Sequence, residues 1–409
     1  MEVIHRRCAG LDVHQETVVA CVRIQTRGKA RQEVRTFSTP TSGLLALSDW
    51  LVDQGVTHAV LESTGVYWKP VWHVLEGSVE LVLANATQVR NLPGRKTDVA
   101  DAVWLADLLA HGLVRGSFVP PVPIQELRDL TRTRTQLVRE AGRHTQRIQK
   151  TLEDANIKLT SILTDVMGLS GRTILRAVVD GTTDPAALAA LRRGNRLKAT
   201  QEQFVEALTG KIRDHHRFLL KLHLDQVESI EATVALIEQR IGGLTEPFRG
   251  QIELLKTIPG VSDTIARALV AEIGLDMTRF PSAPHLVSWA GLCPRSDESA
   301  GKRRSTRLRK GDKWLKTLLV QAAWAASRKK DSYLRALFLR LKARRGPAKA
   351  AVAVAASILT SAYFILQRRQ PWNDLGANYF DTRDRAKLAN RLVKRLENLG
   401  LRVQLSDAA

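Results

Sequence analysis

Lys96-Thr97-Asp98-Val99-Ala100-Asp101-Ala102-Val103-Trp104-Leu105-Ala106-Asp107 is the stretch around which the rest of the chain arranges itself. Leu105, Leu108 and Leu109 continue the apolar pattern of Val99, Ala102 and Val103, which predicts a helix with one buried face. Asp98 and Asp101 stand three residues apart, so their carboxylates share a face of that helix. Adjacent anions repel, and a chain tolerates them through full solvation, a cationic partner or a divalent cation between them.

The choice among these depends on what lies upstream. Cys8-Ala9-Gly10-Leu11-Asp12-Val13-His14 and the run from Thr17 to Ile24 read as two short strands joined by a tight polar turn. Asp12 ends the first apolar run, poorly placed for a strand core and well placed to point into a site. Glu33 to Ser38 is a candidate third strand, and Leu44 to Val52 an amphipathic helix with a Thr41-Ser42 start and a stop at Gly55. His58 to Thr64 is another strand carrying an acid, Glu62, after its apolar run. A helix then runs from Gly65 through Trp72 and Leu75, and Glu80 to Asn85 is one more strand.

Strands feeding helices in this order predict a mixed α/β sheet, with strand C-termini gathered on one edge where ligand sites form. Asp12 and Glu62 then face Asp98 and Asp101 across that edge. Singly, Asp12 reads as a turn residue and Glu62 as a helix cap. As a set, four converging carboxylates require cations, and two divalent ions that prefer oxygen ligands satisfy them. Such a pair clamps the attacking and leaving oxygens of a phosphoryl displacement.

Asp12 in Gly-Leu-Asp-Val-His, Glu62 in Leu-Glu-Ser-Thr-Gly-Val-Tyr-Trp, and Asp98 with Asp101 in Lys-Thr-Asp-x-x-Asp-Ala together resemble the DEDD transposases of the insertion-sequence-110 type. Relatives of that family include the Piv and MooV invertases, and it contains RNA-guided serine recombinases. The resemblance implies an α/β ribonuclease-H-like (RuvC-like) N-terminal domain over residues 1–120, with Mg²⁺ or Mn²⁺ at the four acids.

Composition agrees with a nucleic-acid enzyme. Of 409 residues, 62 are Lys or Arg against 41 Asp or Glu, a net charge of +21. A chain this basic seeks polyanions. Its three cysteines, Cys8, Cys21 and Cys293, form no C-x-x-C pair and no disulfide frame, which points to a reducing, cytosolic setting. The charged start, with Glu2, His5, Arg6 and Arg7 leading into a strand, is not a secretory signal. Ala350 to Leu366 is apolar but Ala-rich and short for a membrane span, so it reads as a buried helix and no membrane partner is expected.

Leu113 to Val119 reads as strand-like, and Pro120, Pro121 and Pro123 then end the first domain. Residues 121–246 form a helical region. Gln125 to Leu159 is a long basic helix, residues 168–210 an inserted helical subdomain, and Val227, Ile230, Val234, Ile237, Ile241 and Leu244 a heptad seam. The seam pairs either with the first helix as a hairpin or with another subunit, and the sequence favours a homo-oligomeric coiled coil. Gly242-Gly243 and Pro247 mark the next boundary.

Residues 247–370 form a mostly α-helical module. It opens with two helices around Ile258-Pro259-Gly260-Val261-Ser262, similar to a helix-hairpin-helix whose turn and helix-start amides, at Gly260 and Ser262, take a phosphate. Next comes Trp289-Ala290-Gly291-Leu292-Cys293-Pro294-Arg295-Ser296-Asp297-Glu298-Ser299-Ala300-Gly301-Lys302-Arg303-Arg304, followed by the cations Arg307, Arg309, Lys310, Lys313 and Lys316, dense enough to hold a phosphate backbone. Its Ala-Gly-Leu-x-Pro-Arg run resembles the family's C-terminal transposase domain, where a serine before a glycine-bearing basic segment attacks DNA. By that resemblance the nucleophile is Ser299, with Ser296 in reserve because Ala300 intervenes before Gly301. Arg295, Lys302, Arg303 and Arg304 would stabilise charge on the phosphorane. Residues 371–409 are a basic helical tail.

The resemblance implies a transposase or site-specific recombinase acting on element ends and target DNA. It also implies a structured guide RNA, and a composite of metal and serine modules in a dimer or tetramer. A metal-dependent junction-resolving endonuclease using water is the alternative. A non-enzymatic nucleic-acid assembly factor is the third possibility, and it would leave the acids without a role.

Overall fold

β1 (Arg7–Val13), β2 (Thr17–Gln25) and β3 (Ala30–Ser38) pair antiparallel in sequence order, as short polar links between β-branched runs dictate. The computed structural model describes residues 2–26, 28–62, 65–84, 98–114, 116–193, 198–294, 297–305, 307–383 and 385–404. Two compact units make up the chain, Met1–Pro120 and Pro121–Ala409.

In the first unit, α1 (Thr41–Asp53) and α2 (Trp68–Leu75) are the crossovers that let β4 (His58–Glu62) and β5 (Glu80–Ala84) join parallel to β1. The sheet order is β3-β2-β1-β4-β5. Leu44, Leu47, Trp50 and Leu51 of α1, with Val71 and Leu75 of α2, bury one sheet face against Leu11, Val18, Ala20, Ala59 and Leu61. The opposite face, bearing Cys8, Val60 and Ala84 and, on β2, Val19 and Cys21, is covered by α3 (Asp98–Ala110) through Ala102, Leu105, Ala106 and Leu109. The expected third strand begins at Ala30, earlier than the apolar pattern indicated. The described residues of the expected strand from Leu113 to Val119 form no strand; they meet β5 through a bridge of Gly116 to Ala84 and a hydrogen bond from Ser117 N to the Leu83 carbonyl.

Gly10 sets how closely α3 can lie on β1. A Cβ there would stand 2.2 Å from the Ala102 carbonyl oxygen and 2.5 Å from the Ala106 nitrogen, so helix backbone rests directly on strand backbone. At the far end of α3, the nearly buried Arg23 donates to Asp107 at 2.6 Å, which makes that third acid of the helix structural.

In the second unit, α4 (Val122–Asp154) and α9 (Asp214–Thr245) form an antiparallel hairpin. Arg134 pairs with Glu238, His144 with His223, and Asp154 with His216, a descending order that fixes the direction. The heptad seam finds its partner here. Val227 and Ile241 are buried, while Ile230, Val234, Ile237 and Leu244 are half-buried. The sequence favoured a partner from another subunit; the apolar stripe is instead met within the chain by α4, the two helices being linked by a folded insert with its own core rather than by a loose loop. That insert comprises α5 (Leu159–Ile162), α6 (Leu169–Val179), α7 (Pro185–Ala190) and α8 (Gln201–Leu208). It shares a core with Ile148, Leu152, Leu220 and Leu224 at the hairpin's outer end. Gly242 and Gly243 do not end α9, which runs through both to Thr245.

The C-terminal module packs α10 (Arg249–Lys256), α11 (Asp263–Ile273), α12 (Ala283–Trp289), α13 (Lys313–Ala326) and α14 (Tyr333–Arg345) around α15 (Pro347–Arg368). α15 is long and apolar enough to cross a membrane, yet Val354, Ala355, Ile358, Leu359 and Ala362 sit in this core, as the Ala-rich composition predicted. Two tail helices follow, α16 (Tyr379–Arg383) and α17 (Arg385–Glu397).

Gly10→Ala should force α3 away from β1, since the clashing atoms are backbone and cannot rotate aside. An overpacking cost of about 1–3 kcal/mol is expected. Urea unfolding should show a lower midpoint for the first unit's transition; an unchanged midpoint would mean that the close approach carries no strain.

Candidate functional site

Register places two of the four acids together. Gly10 pairs with Val60 and Leu11 with Leu61 between parallel β1 and β4, so Asp12 and Glu62 follow in step at the strands' C-terminal ends. Alternation puts Asp12 on the face of Cys8 and Gly10, and Glu62 on the face of Val60. α3 covers that face, as the hydrogen bond from Cys8 Sγ to the Ala106 carbonyl confirms. Asp101 is beside Ala102, the residue whose carbonyl abuts Gly10. Asp12, Glu62 and Asp101 are all half-buried. The backbone of Asp98 begins α3, but its side chain lies outside the described residues. Among the described residues, no three His, Cys, Asp or Glu side chains stand close enough to hold a metal ion. The donors offered are oxygens, the chemistry that suits Mg²⁺ or Mn²⁺.

A residue overlooked in the sequence stands next to this set. His14 Nε2 lies 3.1 Å from Asp12 Oδ2, with the carboxylate largely shielded and the imidazole half-exposed. The signal was present in Asp-Val-His, because i and i+2 on a strand share a face.

The serine belongs to the second unit. β6 (Asp297–Ser299) and β7 (Lys302–Ser305) form a hairpin in which Ser299 pairs with Lys302 across a two-residue turn. Ala300 and Gly301 have φ of 51° and 74°, positive at both central positions as a type I′ turn demands. The extra alanine before glycine therefore completes a tight turn. A register shift between Asp297 and Glu298 bends the arm. A bridge of Pro294 to Leu308 and a hydrogen bond from Arg309 N to the Cys293 carbonyl close its base. Lys302, Arg307, Arg309 and Lys310 are exposed along it. Arg295 and Ser296 lie outside the described residues, and of Ser299, Arg303 and Arg304 the backbone alone is described.

What anchors the arm is a buried ion network. Glu272 of α11 is 1% exposed and takes a bidentate fork from Arg132 of α4, at 2.8 and 2.7 Å, with Arg128 Nε at 3.4 Å. Burial pushes the Glu272 carboxyl upward, and the Arg132 hydrogen bonds oppose it. Arg132 also reaches Asp312 at 3.1 Å, whose other oxygen accepts from the Trp314 and Leu315 amides and caps α13. Asp312 follows the arm's return strand, so the hairpin helix and the arm's exit are tied through one carboxylate pair.

The Pro-Gly turn is built for packing. A Cβ on Gly260 would meet the Ala322 carbonyl at 2.2 Å, so the turn lies tight on α13. Ser262 Oγ accepts from Ile265 N at 3.4 Å, and Asp263 adds a carboxylate at the α11 start.

Comparison with known proteins matches both halves. A family model of DEDD type described as Transposase covers residues 9–157, and one described as Transposase IS116/IS110/IS902 family covers residues 252–339. The pilin gene-inverting proteins of Moraxella bovis and Moraxella lacunata are each 21% identical over 381 residues, spanning 89% of this chain and 97% of theirs.

Glu272→Ala should take the buried carboxylate from Arg128 and Arg132, leaving Asp312 as the acid on Arg132, at a cost of about 3–5 kcal/mol. Chemical denaturation of the second unit is the measurement, and a loss below about 1 kcal/mol, the worth of a surface pair, would contradict a buried role.

Proposed function

The chain belongs to the IS110-type transposase family, a DNA-cleaving and DNA-rejoining enzyme, and on that premise we propose that it works through a phosphoserine formed on Ser299. The observation that carries this reading is the hairpin arm, which puts Ser299 beside a type I′ turn among exposed cations. In the proposed step Ser299 Oγ gives up its proton and bonds to phosphorus, and the scissile P–O bond breaks to release a strand end as a hydroxyl. Attack by a second strand's hydroxyl on the phosphoserine reverses the step on a new partner. The ester conserves the energy of the broken bond, so rejoining needs no nucleotide cofactor. Lys302, Arg303 and Arg304 would stabilise the phosphorane charge, with Arg295, Arg307, Arg309 and Lys310 holding the adjoining backbone.

We read the first unit as ribonuclease-H-like from its 3-2-1-4-5 order and single antiparallel flank. Asp12, Glu62, Asp98 and Asp101 would hold Mg²⁺ or Mn²⁺, which supplies Lewis-acid activation of the phosphodiester. His14 would orient Asp12 and keep its second oxygen directed. Gly260 and Ser262 keep a packing role in our reading, because Ser262 caps its own helix and Asp263 repels phosphate. A structured guide RNA, a homo-oligomer (dimer or tetramer) and a cytosolic location complete the proposal.

Asp98→Asn should abolish strand cleavage while leaving DNA binding within about twofold, because binding rests on the basic surfaces. Cleavage near the parent rate would remove Asp98 from the metal set.

Ser299→Ala should eliminate the covalent protein–DNA adduct on a denaturing gel, whereas Ser296→Ala should retain it. Cutting by the Ser299 variant alone would move the nucleophile to Ser296. Cutting without adduct by both would make the enzyme a metal nuclease using water.

A further inference from the structure

A groove of about 730 Å³ lies between α14 and the tail helices, away from the arm in sequence. Lys330, Arg335, Arg340, Arg344 and Arg391 line it, five cations against the two carboxylates of Asp331 and Asp381. Among the described residues none of the five has an acidic partner within ion-pair distance. Its floor is apolar. Leu339 is 49% exposed into solvent, and Phe380 stacks on Tyr333 with ring centroids 5.5 Å apart at 23°, with the Arg340 guanidinium 5.0 Å above its centroid.

We infer that this groove binds single-stranded nucleic acid, with bases against the exposed Leu339 and the Arg340 guanidinium that the Phe380 ring backs, and phosphates on the surrounding cations. A duplex keeps its base faces stacked inside and offers a protein surface its backbone and base edges, so an apolar floor has no base face to meet. Unpaired bases have exposed π-faces, which stack on aromatic rings and guanidinium planes. The volume falls in the ~300–1,000 Å³ range of small-ligand sites, with room for a nucleotide base and sugar and not for a helix. Five cations against two carboxylates leave the described lining of the groove with an excess of positive charge, which draws phosphodiesters. The strand is either DNA exposed during exchange or an unpaired stretch of RNA; both have the same chemistry. This inference rests on the reading of the chain as a nucleic-acid enzyme, and its readout is binding without cleavage, so losing the phosphoserine step would leave it standing.

The test is fluorescence anisotropy with the full chain and a labelled oligonucleotide as single-stranded DNA, as single-stranded RNA, and as duplex DNA, over a salt series. Arg340→Glu with Arg344→Glu, both at exposed positions, should weaken single-strand binding more than tenfold at low salt. The slope of log K against log salt should shallow by about 1.4, two phosphates at ~0.7 each. Phe380→Leu should weaken single strands about tenfold with the slope unchanged. Arg240→Glu with Lys211→Glu, an equal charge change elsewhere on the surface, sets the baseline. Loss confined to the DNA strand or to the RNA strand names the ligand. Loss no greater than the baseline, or an equal loss for duplex, overturns the inference.

Discussion

Contact between the Gly10 backbone and the backbone of α3 is the constraint on which the acidic site depends. With any side chain at position 10, the Ala102 carbonyl could not stand where it does, and Asp101 would be carried away from the strand ends with it. Gly10, Asp12 and Val60 lie on one sheet face by strand alternation, so the same packing that buries Leu105 and Ala106 directs the acids to one end. Asp12, Glu62 and Asp101 are thereby half-buried at the rim of a core that is otherwise apolar, where their charge keeps contact with water.

The second unit solves a similar problem with charge. A hairpin arm at a domain surface has few apolar contacts of its own and would fray. Its exit runs into Asp312, and Asp312 shares Arg132 with the buried Glu272. Replacing such a network by apolar residues often stabilises a protein, so its value lies in directional geometry more than in net energy. Arg132, Arg139 and Lys313 also stand over the Trp314 ring, which holds the first turn of α13 beneath three cations. The long hairpin α4–α9 and the serine arm thus share one rigid joint, although they are far apart in sequence.

Much of the sheet was legible in the sequence, because short apolar runs separated by polar turns have few other solutions. Asp12 and Glu62 could be placed at strand ends from the apolar runs preceding them, and the register of β1 with β4 explains why they converge. The Ala350 to Leu366 run was legible as a core helix because small residues pack closely. What could not be read was long-range partnering. Nothing in the spacing of Val227, Ile230 and Val234 says whether the opposing helix belongs to the same chain, and Gly242-Gly243 looked like a stop although tertiary packing carries α9 through. The Glu272 fork was invisible because its members are 140 residues apart. His14, just past the end of β1, sits in no apolar run that would mark it as the partner of Asp12.

The turn between β6 and β7 shows a local rule giving way. Alanine in the left-handed region costs roughly 1 kcal/mol, and a hairpin selected for stability alone would carry asparagine or glycine at position 300. An asparagine side chain there would add donors and acceptors next to the serine, and glycine would loosen the turn in the unfolded and folded chain alike. Alanine keeps the φ of 51° that the two-residue loop requires while presenting only a methyl group. The turn accepts that strain and carries at its first corner the smallest side chain an L-residue can offer.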